Sequence, residues 1–119
     1  MNLGRMDSRG FTIWGPVMFS HIGTFMSAAG DINGDGYDDL LLGAPYLYTM
    51  RGAVYIIYGR AVLSDVDLAD LQVSQGYMLQ GVETSYFGMS VAGGVDFNHD
   101  GMPDMVIGNP SSLWDNKAV

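Results

Sequence analysis

The chain has 119 residues, of which 48% are hydrophobic and 17 are glycine, a composition that suits one small packed domain with many short strands and excludes global disorder. Its formal net charge is −8, from 13 acidic and 5 basic residues, which argues against a nucleic-acid partner or an anionic membrane surface because both require a basic face. The absence of cysteine excludes a disulfide scaffold, a thiolate metal site and a cysteine nucleophile.

The first part of the chain contains one short predicted strand. Residues 1–9 are polar and aperiodic, so we expect a disordered N-terminus. No signal-peptide core follows, and no apolar stretch is long enough to span a bilayer, so we expect no direct membrane insertion by this segment. Residues 10–15 alternate large and polar side chains between two glycines, which predicts a strand. Residues 76–81 repeat this pattern later in the chain.

Two acidic loops dominate the sequence. Residues 31–36 read Asp-Ile-Asn-Gly-Asp-Gly, and residues 96–101 read Asp-Phe-Asn-His-Asp-Gly. Each loop follows a predicted strand of small residues, a composition that allows several backbones to approach a common axis closely. Each loop leads into an apolar run that is too short for a helix, which predicts a buried strand.

The spacing of the acidic loops indicates a cation site. Oxygen-bearing side chains occupy positions 1, 3, 5 and 9 of both loops, and glycine occupies position 6. Ca²⁺ takes about six to eight oxygen ligands, and its flexible, carboxylate-rich cages suit it better than the smaller Mg²⁺. Without a cation the aspartates would repel one another, so two matching loops favour Ca²⁺ over metal-free turns. An EF-hand is excluded because position 12 is Leu42 or Ile107 instead of glutamate.

The stretch between the acidic loops contains the clearest strand and a longer connection. Residues 52–58 alternate apolar and aromatic side chains on both faces. In the connection over residues 60–75 we expect a helical turn. We expect three leucines there to cap the core: Leu63, Leu68 and Leu71. We interpret three acidic residues there as a solvated face, because they lack the glycine and the spacing of the loops: Asp65, Asp67 and Asp70.

The order of the predicted strands is that of a repeat. One unit contains four strands, at about 24–30, 39–43, 52–58 and 76–81. Four strands that recur with such a long period are typical of β-propeller blades. We therefore predict an all-β fold, a β-propeller of four-stranded blades.

The chain covers about one full blade and parts of two neighbours. Residues 22–81 form the complete blade, residues 10–15 the last strand of a preceding blade, and residues 87–110 the first half of the next blade. Residues 111–119 form a C-terminal tail. Because a single blade cannot bury both of its faces, we expect the remaining blades to belong to a longer chain.

Three motifs resemble a known family. Phe87-Gly88, the Asp-x-Asn-x-Asp-Gly loops and Gly43-Ala44-Pro45 resemble the FG-GAP repeat of the integrin α-subunit β-propeller, over about residues 10–110. Two departures occur: Ile22-Gly23 replaces Phe-Gly in the first copy, and Gly108-Asn109-Pro110 replaces Gly-Ala-Pro in the second.

The resemblance implies a seven-bladed propeller with structural Ca²⁺ in the loops between first and second strands. Carried over by position, the first set of ligands is Asp31, Asn33, Asp35, the Tyr37 carbonyl and Asp39. The second set is Asp96, Asn98, Asp100, the Met102 carbonyl and Asp104. The resemblance also implies an extracellular or cell-surface, non-enzymatic module that binds a protein ligand or mediates adhesion through propeller loops. The alternatives are an accessory propeller of a secreted, phospholipase-D-like hydrolase, or a truncated product without independent function.

Other chemistry-bearing residues have simpler interpretations. His21 and His99 have no second histidine at ligand spacing, so we expect both to face solvent rather than to bind a transition metal or act as a base. We predict no catalytic residues. The aromatic residues are expected to pack between blades: Phe11, Trp14, Tyr55, Tyr58, Tyr77, Tyr86 and Phe87.

Overall fold

The computed structural model describes residues 10–62 and 64–110. The predictions for residues 1–9, for residues 111–119 and for Leu63 lie outside the described residues. The described residues form strands and loops with only two short helical turns, which confirms the all-β fold class. In chain order the elements are β1 (Ile13–Trp14), β2 (Phe25–Gly30), β3 (Asp39–Ala44), α1 (Leu47–Met50), β4 (Ala53–Ile57), β5 (Val66–Asp67), a 3₁₀ turn (Leu68–Asp70), β6 (Gly76–Gln80), β7 (Val91–Val95) and β8 (Asp104–Ile107).

The main sheet has four antiparallel strands in the order β2-β3-β4-β6. These strands begin and end within a residue of the predicted ones. The order follows the chain, as is common for consecutive strands, although the connection between β4 and β6 is long and contains β5 and the 3₁₀ turn. The connection between β3 and β4 contains α1, in which Tyr48 and Thr49 have left-handed backbone angles.

The hairpin formed by β7 and β8 repeats the hairpin formed by β2 and β3. Met26 pairs with Leu42 in the first, and their counterparts Val91 and Ile107 pair in the second, so both strands keep the same register. A β-bulge interrupts each hairpin at the same place, just before the first aspartate of the acidic loop. A bulge bends its strand and increases the local twist, so both acidic loops begin from the same backbone geometry.

Both faces of the main sheet carry an apolar cluster. Every residue of β4 is buried, and alternate side chains enter two different clusters. Tyr55 and Ile57 pack with Leu42 and the 3₁₀ residue Leu68 on one face. On the other face, Val54 and Ile56 form part of a cluster that includes residues of the β7–β8 hairpin. Trp14 differs from the prediction for the aromatic residues, because 60% of its surface is exposed.

The close contact between sheet and hairpin depends on small residues. A Cβ atom at Gly43 would collide with the carbonyl oxygen of Gly88, and a Cβ atom at Gly88 would lie 2.7 Å from the carbonyl oxygen of Ala53. Likewise, a Cβ atom at Gly93 in β7 would lie 2.9 Å from the Cα atom of Ala29 in β2. The Gly-Ala-Pro motif of one repeat therefore contacts the Phe-Gly motif of the next repeat directly.

The connection over residues 60–75 contacts the segment that precedes the main sheet. β5 pairs in parallel with β1, with Ile13 opposite Val66. The Asp67 side chain accepts a hydrogen bond from the Ala69 N–H and caps the 3₁₀ turn. The helical turn expected in this connection is thus present. The division into one blade and two partial neighbours stays a prediction.

We expect Gly43→Ala to lower the free energy of unfolding by about 1–3 kcal/mol, because the added methyl group must displace the Gly88 backbone. Denaturant unfolding with a chelator present measures this change. Gly36→Ala is the control: a Cβ atom there meets nothing within 4 Å, so only its φ of 90° adds strain. A smaller loss for Gly43→Ala than for Gly36→Ala would contradict the close-contact explanation.

Candidate metal sites

The first acidic loop is held by hydrogen bonds from backbone to side chains. The Asp31 carboxylate accepts the N–H groups of Asp35 at 3.0 Å and Gly36 at 2.7 Å. The Asp35 carboxylate accepts the N–H of Tyr37 at 2.9 Å. The Asn33 Oδ1 atom accepts from Asp35 at 3.3 Å. The loop thus curls around the oxygens at positions 1, 3 and 5.

Asp39, at position 9, links this loop to the main sheet. It is only 4% exposed. Its Oδ2 atom accepts the Ile32 N–H at 2.8 Å, and its Oδ1 atom accepts the Gly59 N–H at 2.8 Å. Gly59 lies far along the chain, just beyond β4, and no local sequence signal predicts this second contact. The carboxylate therefore joins the loop, β3 and the end of β4.

The second acidic loop reproduces the network of the first. Asp96 accepts the N–H groups of Asp100 at 3.1 Å and Gly101 at 2.8 Å, and Asp100 accepts the Met102 N–H at 2.9 Å. Asn98 accepts from Asp100 at 3.3 Å. The position-9 residue, Asp104, accepts the Phe97 N–H at 2.7 Å.

The loops differ at position 4. Gly34 has a φ of 75° in the first loop, and His99 has a φ of 58° at the same place in the second. A left-handed backbone costs a residue with a Cβ atom about 1–2 kcal/mol, whereas glycine adopts it readily. His99 is exposed, as predicted, and so is His21, whose ring contacts Tyr46 at 5.7 Å between centroids.

The donor atoms of both loops suit a hard cation. Each set offers three carboxylates and one amide oxygen, and oxygen donors are the ligands that Ca²⁺ prefers. A carboxylate offers about four lone-pair positions, so accepting one or two N–H groups leaves capacity for a metal. Among the described residues, no three His, Cys, Asp or Glu side chains are grouped closely enough to hold a metal ion. Binding would therefore draw on the amide and backbone carbonyl oxygens as well as on the carboxylates.

The surroundings of Asp39 are partly apolar. Burial raises the pKa of the nearby Tyr77 hydroxyl, with smaller contributions from Tyr58 and Asp39. The Tyr58 and Tyr77 rings lie 6.1 Å apart. Tyr77 is therefore a neutral phenol at physiological pH and adds no charge beside the first loop.

Comparison with known proteins identifies the family. The family model described as "FG-GAP repeat" matches residues 25–57 and 87–117. The chain belongs to the FG-GAP repeat family, and its fold is that of a β-propeller fragment. Within residues 10–62 and 64–110, no helix is long and apolar enough to cross a membrane.

The similar proteins fall into two groups. The chain is 38% identical to integrin alpha pat-2 of Caenorhabditis briggsae over 95 residues, which cover 79% of this chain and 8% of that protein. It is 35% identical to integrin alpha-5 of Xenopus laevis over 91 residues, 76% of this chain and 8% of the relative. It is also 38% identical to phosphatidylinositol-glycan-specific phospholipase D of Mus musculus over 117 residues, 92% of this chain and 13% of that protein. The chain thus spans only about a tenth of the length of these relatives.

Asp39→Ala and Asp104→Ala form a matched pair for testing the link between loop and sheet. Without metal, we expect Asp39→Ala to lower the free energy of unfolding by about 2–4 kcal/mol, because two partly buried N–H groups lose the buried carboxylate that accepts from them. Asp104→Ala should lower the free energy of unfolding by about half as much, because Asp104 accepts one N–H, that of Phe97, among the described residues. Denaturant unfolding in chelator measures both changes, and equal losses would contradict the bridging role of Asp39.

Exchanging the residues at position 4 tests the backbone strain. We expect His99→Gly to raise the free energy of unfolding by about 0.5–1 kcal/mol, because the relief of left-handed strain exceeds the entropic cost of glycine. Gly34→His should lower it by a similar amount. Thermal melting in chelator measures both variants. A fall in stability for His99→Gly would show that the histidine ring makes a compensating contact.

Proposed function

We propose that this chain is a Ca²⁺-binding FG-GAP module whose two metal sites stabilise a non-enzymatic, protein-binding propeller. The observation that carries the proposal is the duplicated loop network, in which the same backbone groups hold the same oxygens in both copies of the repeat. A network repeated in this detail favours a shared ligand over two unrelated turns.

The proposed metal role is mechanical. Each loop joins the two strands of a bulged hairpin, and Asp39 also accepts the N–H of Gly59, two residues after the end of β4. A cation bound only by the folded loop would add its binding free energy to the stability of the hairpin. It would also neutralise carboxylates in a chain whose formal net charge is −8.

A protein ligand is proposed to meet loops away from the metal sites. The β3–β4 connection and the segment before Phe87 lie together, because the Tyr86 N–H bonds to the Met50 carbonyl at 3.0 Å. The Tyr46 and Tyr86 rings lie 6.1 Å apart, and Tyr46 is 47% exposed. Exposed aromatic residues are common at protein interfaces. The similarity to integrin alpha subunits supports a proposed location of the module at the cell surface or outside the cell.

The remaining blades of a longer chain are proposed as further partners. An apolar cleft of about 230 Å³ is lined by Met26, Leu40 and Leu42, among others. Their counterparts in the second repeat are Val91, Met105 and Ile107, which pack against the main sheet. A preceding blade would cover the cleft in the same way.

Ca²⁺ titration with melting tests the metal sites. At free Ca²⁺ 100 times its dissociation constant, each occupied loop should add about 2.7 kcal/mol to the stability. We expect Asp35→Ala and Asp100→Ala each to remove about half of the total gain, and the double variant to remove nearly all of it. Asp38→Ala is the matched control, because Asp38 is exposed and stands at position 8 of the first loop.

An unchanged melting midpoint on adding Ca²⁺ would sink the metal proposal. A full Ca²⁺ gain in Asp35→Ala would instead reject the ligand assignment in the first loop. An equal gain from Mg²⁺ at the same concentration would contradict the choice of the larger ion.

A second candidate function is that of an accessory propeller in a secreted hydrolase. It is favoured by the similarity to phosphatidylinositol-glycan-specific phospholipase D, which extends over 92% of this chain. The coding sequence on either side distinguishes the candidates. An adjoining membrane-spanning segment supports the adhesion module, whereas an adjoining catalytic domain supports the accessory propeller and rejects the first assignment.

A further inference from the structure

The outer edge of β6 has the same strand geometry as the edge of β1 that β5 occupies. β1 and β6 belong to matching sequence segments, residues 10–15 and residues 76–81. β5 pairs in parallel with β1. Within residues 10–62 and 64–110, only β4 pairs with β6, so the opposite edge of β6 has no partner strand there.

Hydrogen bonds at both ends of β6 show which backbone groups face this edge. The Gln75 carbonyl accepts the Tyr58 N–H at 2.9 Å, and the Gly81 N–H donates to the Gly52 carbonyl at 3.0 Å. Residues 75 and 81 thus face β4, and backbone direction alternates along a strand. The N–H and C=O groups of Met78 and Gln80 therefore face the opposite, outer edge.

The same register holds in β1, where the edge is occupied. Thr12, the counterpart of Met78, donates its N–H to the Asp65 carboxylate at 2.8 Å and accepts the Val66 N–H at 2.9 Å. An aspartate and the β-branched residue after it thus satisfy both polar groups of one edge residue. The pairing of β5 with β1 thus shows that a parallel segment can occupy such an edge.

We propose that the outer edge of β6 is a strand-addition site that takes an extended, parallel segment in which an aspartate precedes a β-branched residue. The occupant is the connection of an adjoining FG-GAP repeat that corresponds to residues 64–67. The aspartate carboxylate of this segment accepts the Met78 N–H. The N–H of the β-branched residue after the aspartate donates to the Met78 carbonyl. The chain spans 8–13% of the relatives compared above, which leaves room for such a repeat. Main-chain pairing of this kind is a common mode of peptide recognition.

This proposal is independent of the metal sites, because neither acidic loop contributes to the edge. Under this proposal, the long connection over residues 60–75 supplies the strand that pairs with such an edge. β5, which lies in that connection, pairs with β1 in a two-stranded sheet separate from the main sheet.

A peptide with the sequence of residues 61–71 serves as the probe, added to the full 119-residue chain up to millimolar concentration. We expect at least a fivefold slowing of amide hydrogen exchange at Met78 and Gln80. The same peptide with Asp65→Ala should bind about 10-fold more weakly, since it lacks one charge-assisted hydrogen bond. This comparison needs no change in the protein.

Variants of the edge provide a second readout. Met78→Pro removes an N–H that the main sheet does not use, so we expect melting close to that of the parent chain and loss of peptide binding. Met78→Leu is the matched control and should bind the peptide normally. If Met78→Pro does not fold, the Asp65→Ala peptide still decides the question.

Several results would overturn the proposal. They are equal binding of both peptides, unchanged exchange at Met78 and Gln80, and displacement of the chain's own β5 from β1 without any effect at β6. Concentration-dependent dimers that protect the edge without peptide would reject the adjoining repeat as occupant in favour of a second copy of the chain.

Discussion

The backbone of Gly88 lies so close to Gly43 that no side chain fits between them. This contact brings the β7–β8 hairpin against the main sheet, where Gly93 passes beside Ala29 in the same close manner. Leu41 and Ile56 are buried between the two layers as a result. The apolar burial that stabilises the structure therefore depends on a few positions that have no side chain.

The same contact explains why the two motifs recur in fixed order. The Phe-Gly segment of one repeat packs on the Gly-Ala-Pro segment of the preceding repeat, so each motif is half of an interface. The acidic loops lie at the hairpin turns, where the backbone is curled and several N–H groups need acceptors. Asp31 and Asp96 supply those acceptors in the same way, and Asp39 extends the network to Gly59. The Asp39 carboxylate thus couples the conformation of the first acidic loop to the main sheet.

A second kind of contact lies outside the two hairpins. The parallel pairing of β5 with β1 arises in the connection over residues 60–75. In this connection Asp65, which the sequence predicts to be solvated, accepts the backbone N–H of Thr12, just before the distant strand β1. The propeller fragment is therefore held by two kinds of contact: glycine-mediated packing between the main sheet and the β7–β8 hairpin, and backbone pairing between β1 and β5.

The sequence by itself determined the all-β class, the four strands of the main sheet and the register of the two acidic loops. These features have local signals: alternation along residues 53–57, glycine at turns, and oxygen side chains at odd loop positions. Only the tertiary structure decided that Gly43 meets Gly88, that Asp39 holds Gly59, and that Asp65 binds Thr12. Each of these contacts joins residues that are far apart in the chain, and no local propensity encodes which distant backbone group a side chain will meet. Periodicity reveals the repeated unit, whereas the contacts between units depend on the packing of the whole chain.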